Sequence, residues 1–348
     1  MKTSRSIEWI ARADDAGARA DVVLGRRIPG LSRRIARRLA HAGALHIDDR
    51  AAPPSHLVVA GERLVLVLDV AAIDPPELVV LHVTDDFVYA SKPAGVHTHR
   101  LGPDGAPTLA DAVARRFPEC GTASADPREG GAIHRLDRDT TGVTAFARNA
   151  AAWRRGRLAM ADPRTGKVYA ALVRAPCPMQ WPPRADLMRI RDVPHAWWDV
   201  ADLPQPRSVS PVRLEMALGH GADRGSVAVR DDGRLTRCDL VPLAVGDSLH
   251  ADGRTRALFA VALGRGHRHQ IRVHLAWLGL PIEGDDRYGA SAPSGTSPGS
   301  WLGLHCAALD LSACCPGEQP VTAPPPSAFA RRLSELHLQS WAGPEHTW

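Results

Sequence analysis

No apolar run in this sequence is long enough to cross a bilayer, which argues against a helical membrane protein. Lys2 and Arg5 open the chain, but Glu8 and Arg12 interrupt the apolar stretch that a secretory leader needs, so a cytoplasmic protein is expected. The six cysteines (Cys120, Cys177, Cys238, Cys306, Cys314 and Cys315) contain no CxxC pair, so a structural zinc site is not expected and the thiols are read as reduced. No internal repeat is present. Lysine is scarce: Lys2, Lys92 and Lys167 stand against 40 arginines. What is abundant is ordinary. Apolar residues make up 44% and charged residues 23%, a soluble globular composition, and 348 residues suggest two domains, one of them small.

The net charge of +5 is unevenly placed. Residues 1–69 carry twelve Lys and Arg against eight Asp and Glu, so +4 lies in the first fifth of the chain. A basic module on a nearly neutral body points to a polyanionic partner. Within it, Ser32 suits a helix N-cap before Arg33-Arg34-Ile35-Ala36-Arg37-Arg38-Leu39-Ala40. Ile35 and Leu39 share one face, and Arg33, Arg34, Arg37 and Arg38 form a basic stripe beside it. Gly43 sits where that helix would stop. Leu45-His46-Ile47 and Leu64-Val65-Leu66-Val67-Leu68 read as strands, with a turn at Gly61-Glu62. This pattern, with Arg19-Ala20-Asp21 and Leu24 for a first helix, resembles the S4-like RNA-binding domain over residues 17–69. The resemblance implies RNA binding through Ser32, Arg33, Arg34, Arg37 and Arg38. Asp48-Asp49 stands where the domain usually has Asn-Gly, which weakens phosphate contact at that turn.

Residues 70–77, with Asp74-Pro75-Pro76, read as a linker, and 78–348 as the second domain. Residues 79–81, 87–90, 168–174 and 257–263 read as strands; 270–276 is a helix start or half of a strand pair. Residues 176–211, rich in Pro and Trp, read as an irregular insertion, and a short helix is expected from Ser327 to about His337.

Three segments of the second domain are candidates for chemistry. The first is His134-Arg135-Leu136-Asp137-Arg138-Asp139-Thr140-Thr141-Gly142, a charged turn between apolar flanks. A carboxylate among arginines stays ionised, which suits a nucleophile or base. On physics alone, a salt-bridged surface turn explains it as well. The second is Gly166-Lys167-Val168-Tyr169, where core packing is the ordinary role of a lone strand tyrosine. The third is Gly264-Arg265-Gly266-His267-Arg268-His269-Gln270-Ile271-Arg272-Val273-His274. Its histidines invite a metal reading, that of a hydrolase using His267, His269 and His274, but no Asp, Glu or Cys lies in the same run.

Together these segments resemble the signatures of the RluA-type pseudouridine synthases. Lys92-Pro93-Ala94-Gly95, Gly279-Leu280-Pro281-Ile282-Glu283-Gly284-Asp285-Asp286-Arg287-Tyr288-Gly289 and Leu304-His305-Cys306 match further motifs of that family, in family order, and read as fold-setting turns. The resemblance implies an α+β fold: the small S4-like α/β module, then a catalytic domain on a mixed, mainly antiparallel bisected sheet. It implies Asp137 as the catalytic aspartate and Tyr169 beside it, stacking on a flipped uracil and taking a proton late. It implies Arg272 pairing with Asp137 and holding it ionised, and Arg135 filling the helix stack as the target base leaves. His134, His269 and Gln270 join Arg135 as substrate-binding candidates. Thr141 replaces the usual Ser, and His267-Arg268 stands where Arg-Thr is usual. The implied reaction converts uridine in RNA, ribosomal RNA more than transfer RNA, into pseudouridine by a monomer without metal or organic cofactor. Asp137 has three open roles: attack on the sugar, attack on the base, or removal of the sugar's 2′ proton. The alternative is a non-catalytic RNA-binding protein on the same scaffold. The lysines add a hint, since two of the three fall inside motifs, where a compact ammonium rather than a planar guanidinium is called for.

Overall fold

The computed structural model describes residues 5–28, 31, 33–41, 43–68, 76–101, 107–183, 188–189, 211–223, 225–246, 248–289 and 301–340. The chain divides into two compact units, Met1–Pro75 with Arg100–Pro107, and Pro76–His99 with Thr108–Trp348.

In the first unit, strands β1 (Arg5–Ile10), β2 (Leu45–Ile47), β3 (Arg50–Ala51) and β4 (Arg63–Leu68) form an antiparallel sheet in the order β1-β4-β2-β3. Helices α1 (Ala20–Arg27) and α2 (Arg33–His41) accompany it. Leu64 and Leu66 alternate inward and join Val23, Leu24, Ala36 and Leu45 in one core. The expected start at residue 17 leaves out β1, which pairs along its whole length with β4. Asp48 and Asp49 both take positive φ, as the expected Asn-Gly would, and Arg63 holds them: its backbone N–H donates to Asp48 and its guanidinium to Asp49. Arg33 and Arg37 are exposed on α2, and Arg33 also reaches the buried Asp21 at 3.3 Å. Ser32 lies outside the described residues, as do the side chains of Arg34 and Arg38.

The second unit is built on a 12-stranded mixed sheet. Its elements are β5 (Val79–Val83), β6 (Phe87–Lys92), α3 (Leu109–Arg116), β7 (Thr141–Ala147), α4 (Ala150–Ala159), β8 (Gly166–Ala175), β9 (Met188–Arg189), β10 (Val212–His220), β11 (Val227–Val229), β12 (Arg234–Val245), β13 (Thr255–Leu263), α5 (Gln270–Trp277), β14 (Leu304–Asp310), β15 (Val321–Thr322), α6 (Ser327–Glu335) and β16 (Gln339–Ser340). The main order is β11-β10-β12-β13-β8-β14-β7-β6-β5, antiparallel except where β14 runs parallel to β7. Of the 176–211 insertion, residues 184–187 and 190–210 lie outside the described residues.

Strand β8 explains how the sheet carries a site. It is buried along its full length, so it shows no polar alternation. Tyr169, Ala171 and Val173 enter one core, while Val168, Ala170 and Leu172 enter another on the opposite face with Phe329 of α6. Lys167, two residues before Tyr169, shares its face. The parallel β7–β14 contact depends on Gly142. Its φ of 114° disfavours other residues, and a Cβ there would collide with the Cys306 carbonyl.

Candidate active site

Asp137 stands in a loop that is tied down on both sides. Ahead of it, the Leu136 N–H donates to the Thr98 hydroxyl at 3.0 Å, and that hydroxyl donates to the Leu136 carbonyl at 3.2 Å. Behind it, the fully buried Lys92 donates to the carbonyls of Pro93, Val96 and Arg138 at 2.7–2.8 Å. The Arg138 side chain returns the contact by donating to the Gly95 carbonyl. An ammonium has three donors, and all three are used to join the 92–96 turn to the Asp137 loop. Burial lowers the Lys92 pKa to about 7, against the pull of Asp139 and Asp137. The Thr141 hydroxyl donates to His305 Nδ1 at 2.8 Å while His305 Nε2–H donates to the Ala323 carbonyl, so the Thr-for-Ser change keeps the group that matters.

Arg272, on α5, faces Asp137 at 3.6 Å, the pairing expected from the sequence. Its stronger partner is Asp285, held bidentately at 2.7 Å by Nε and Nη2. Burial pushes the Asp285 carboxyl up, but Arg272 and the N–H groups of Tyr288 and Arg287 outweigh it and hold it below the usual range. The expectation that the 279–289 turn only sets the fold therefore needs correction: Asp285 aims Arg272 at Asp137. Tyr288 belongs to the same device, its ring lying under the Arg272 guanidinium at 5.2 Å.

His269 takes a left-handed backbone at the N-terminus of α5. Its Nδ1 meets the Tyr288 hydroxyl at 2.7 Å, and that hydroxyl accepts from the Val227 N–H at 2.9 Å. The phenol is then free to donate to Nδ1, which leaves Nε2 protonated and 3.8 Å from Asp137. Burial and the nearby arginines push His269 below its ordinary pKa, against the pull of Asp137, so it serves as a neutral donor.

Asp137, Tyr169, Arg272, His134, Arg135, His269 and Gln270 all line one cavity of about 370 Å³, in the size range of about 300–1,000 Å³ usual for small-ligand sites. The sequence candidates of this unit thus converge, but not all in the roles expected. Tyr169 is buried, and burial with Cys306 and Asp137 nearby raises its pKa well above the ordinary value, so its phenol is neutral. Gln270 is occupied by the backbone: its Nε2 donates to the Arg237 carbonyl and its Oε1 accepts from the His267 N–H. It shapes the turn. His134 Nε2 accepts from the Ala145 N–H, and burial beside Lys167 and Arg157 lowers its pKa to about 3, so it is a neutral wall of the cavity. Arg135 is exposed, with no ion pair among the described residues. The three histidines of the metal reading do not converge. His274 donates from Nε2 to Thr236 and accepts at Nδ1 from Cys238, and no His, Cys, Asp or Glu group that could hold a metal occurs among the described residues. Sequence reasoning does not reach the roles of Asp285, Tyr288 and Thr98; the only signal for the first two is an Asp and a Tyr three apart in a glycine-bounded turn.

Comparison with known proteins gives a family model described as RNA pseudouridylate synthase, matching residues 86–277. Ribosomal large subunit pseudouridine synthase D of Xanthomonas campestris pv. campestris is 30% identical over 354 residues, covering 93% of this chain and 91% of its own length. An uncharacterized RNA pseudouridine synthase of Chloroflexus aurantiacus is 32% identical, covering 78% of this chain and 75% of its own. The solved structure of human RNA pseudouridylate synthase domain containing 4 aligns with a TM-score of 0.51 at 20% identity, over 75% of this chain and 94% of that one, a likeness of fold.

Proposed function

This chain belongs to the RNA pseudouridylate synthase family, whose reaction isomerises uridine in RNA to pseudouridine, and on that premise we propose that its substrate is ribosomal RNA of the large subunit. The observation that carries the assignment of roles is the convergence of Asp137, Tyr169 and Arg272 in one cavity. Asp137 supplies the carboxylate that acts on the sugar or the base. Tyr169 offers its ring as a stacking surface for the flipped uracil. A tyrosine held neutral by burial is a hydrogen-bond donor first, which moves its role away from general base. Arg272 and His269 place a cation and a neutral N–H against the carboxylate and fix its direction. Arg135, exposed at the cavity, fills the gap left in the RNA stack.

The first unit is read as an S4-like RNA-binding module that binds phosphates through the exposed Arg33 and Arg37 of α2, with Ser32, Arg34 and Arg38 added by the resemblance. Phosphate contacts of this kind give affinity and register, not sequence choice. The enzyme is read as a cytoplasmic monomer; no helix among the described residues is long and apolar enough to cross a membrane. The test is to map pseudouridines in total RNA with and without this gene. Loss of a site in large-subunit ribosomal RNA, restored by the wild-type gene, is expected. Loss confined to transfer RNA would replace the proposed substrate.

A further inference from the structure

We propose that Lys167 is a catalytic residue, one that binds a carbonyl oxygen of the flipped uracil and stabilises the negative charge the base takes on when its bond to the sugar breaks. This rests on the reading of the Asp137 cavity as the uridine site.

Lys167 is one of three lysines in the chain, and its side chain is 4% exposed. It lies on β8, on the face of Tyr169, and lines the same cavity as Asp137. A buried ammonium normally has a carboxylate or several carbonyls, as Lys92 does. Lys167 has neither among the described residues. Its one hydrogen-bond acceptor there is the thioether of Met160 at 3.9 Å, a weak one. The cost of burying this charge is offset only when something with oxygen acceptors enters. Uracil brings O2 and O4.

The reaction supplies the need for a cation. Heterolysis of the C1′–N1 bond sends the electron pair to uracil, whose charge spreads over N1, O2 and O4. The deficit at C1′ is met by a carboxylate oxygen of Asp137, or by loss of the 2′ proton to that carboxylate. After the ring turns, C5 bonds to C1′, which displaces the Asp137 oxygen or regains the 2′ proton. C5 then loses its proton and N1 gains one, so the proton count is unchanged. Throughout, the Lys167 ammonium donates hydrogen bonds without giving up its proton. Fixed donors aimed at developing charge are worth most in a dry site. A lysine suits this better than arginine, because a compact point charge meets one oxygen where a planar fork has no second acceptor.

The groups facing Lys167 leave it the one that titrates near pH 8. Burial lowers its pKa to about 8; Cys306 is raised to about 12, His134 lowered to about 3, Tyr169 raised well above its ordinary value and His267 lowered. His269 is lowered to about 4, and Asp137 with Arg135, Arg157, Arg265, Arg268 and Arg272 completes the charged lining.

The test is single-turnover conversion of a large-subunit ribosomal RNA fragment containing the target uridine, or the same fragment with 5-fluorouridine at that position. Lys167→Met is expected to slow loss of the uridine about 100-fold, the scale of removing one fixed donor, with RNA affinity changed less than about threefold. Fluorine stabilises the uracil anion, so the defect should shrink at least about tenfold on the fluorinated RNA. A rate within about threefold of wild type, or an equal defect on both RNAs, overturns the proposal. Should Lys167→Met not fold by circular dichroism, Lys167→Gln is measured on both RNAs in its place, with the same expected defect and the same overturning results. Wild type inactive on both RNAs would count against the uridine-site reading itself.

Discussion

Arg272 lies 3.6 Å from Asp137 but makes two 2.7 Å hydrogen bonds to Asp285. The cation that faces the Asp137 carboxylate is thus aimed by a second carboxylate, itself fixed by two backbone N–H groups. Asp285→Asn keeps the shape and removes the charge. Breaking one side of a buried pair costs about 3–5 kcal/mol, so urea unfolding should show a loss of that order. The single-turnover rate should fall more than RNA affinity does. Unchanged stability with unchanged rate would mean that Arg272 orients itself.

Tyr288 and His269 should act as one unit. Tyr288→Phe keeps the ring under Arg272 but removes the hydroxyl that reaches His269 Nδ1. The imidazole then has no partner to hold its proton on Nε2, and the rate should drop about tenfold, near 1.4 kcal/mol. The double variant with His269→Gln should be little slower than the slower single variant, because both remove the same relay. Full additivity would show that the two act separately.

Helix α5 carries a pH-sensitive residue behind the site. His274 is fully buried, bonded to Thr236 and Cys238, and burial lowers its pKa to about 4. Its folded pKa lies below its unfolded one, so its contribution is fully present above pH 6.5 and is lost as pH falls toward 4. Within that window the unfolded chain binds the extra proton, and stability should change by at most about 1.4 kcal/mol per pH unit from this group. His274→Gln should remove about one proton from the slope of unfolding free energy against pH between 6.5 and 4. An identical slope in the variant would place the titration elsewhere.

The basic face of α2 should be read in salt dependence. Arg33 and Arg37 are exposed. Each phosphate pairing removed reduces the slope of log K against log salt by about 0.7–0.9. Arg33→Ala with Arg37→Ala should weaken RNA binding and flatten that slope by one to two such pairings, while the single-turnover rate at saturating RNA stays near wild type. An unchanged slope would assign the first unit another task.

How much of this is legible in the sequence follows from the range of the contacts. The Asp137 turn, the Lys-x-Tyr strand and the His269–Arg272 run are local patterns, and they converge as their resemblance implies. Strands β8 and β13 announce themselves as apolar runs because both of their faces are covered. Residues 270–276 are ambiguous between helix and strand because polar Gln270, Arg272 and His274 alternate with apolar Ile271, Val273 and Leu275, a strand-like period; the backbone nevertheless forms α5, and burial of all six residues removes the one-sided polar face that would mark a helix. Strand β1 escapes a reading by pattern: Arg5, Ser6 and Glu8 break any apolar run, and its partner β4 lies far along the chain. Asp285 passes for a fold-setting residue for the same physical reason. Nothing near it in sequence says that it meets a guanidinium on the preceding helix, and only folding brings the two within 2.7 Å.

The role of Asp137 is tested most directly by pseudouridine formation with purified Asp137→Asn enzyme on large-subunit ribosomal RNA, with RNA affinity measured in parallel. The neutral amide leaves the loop clamps of Thr98 and Lys92 in place, since both act through the backbone. If the carboxylate does the chemistry, no pseudouridine forms while RNA binding stays within about threefold of wild type. Pseudouridine formed at the wild-type rate would contradict that assignment.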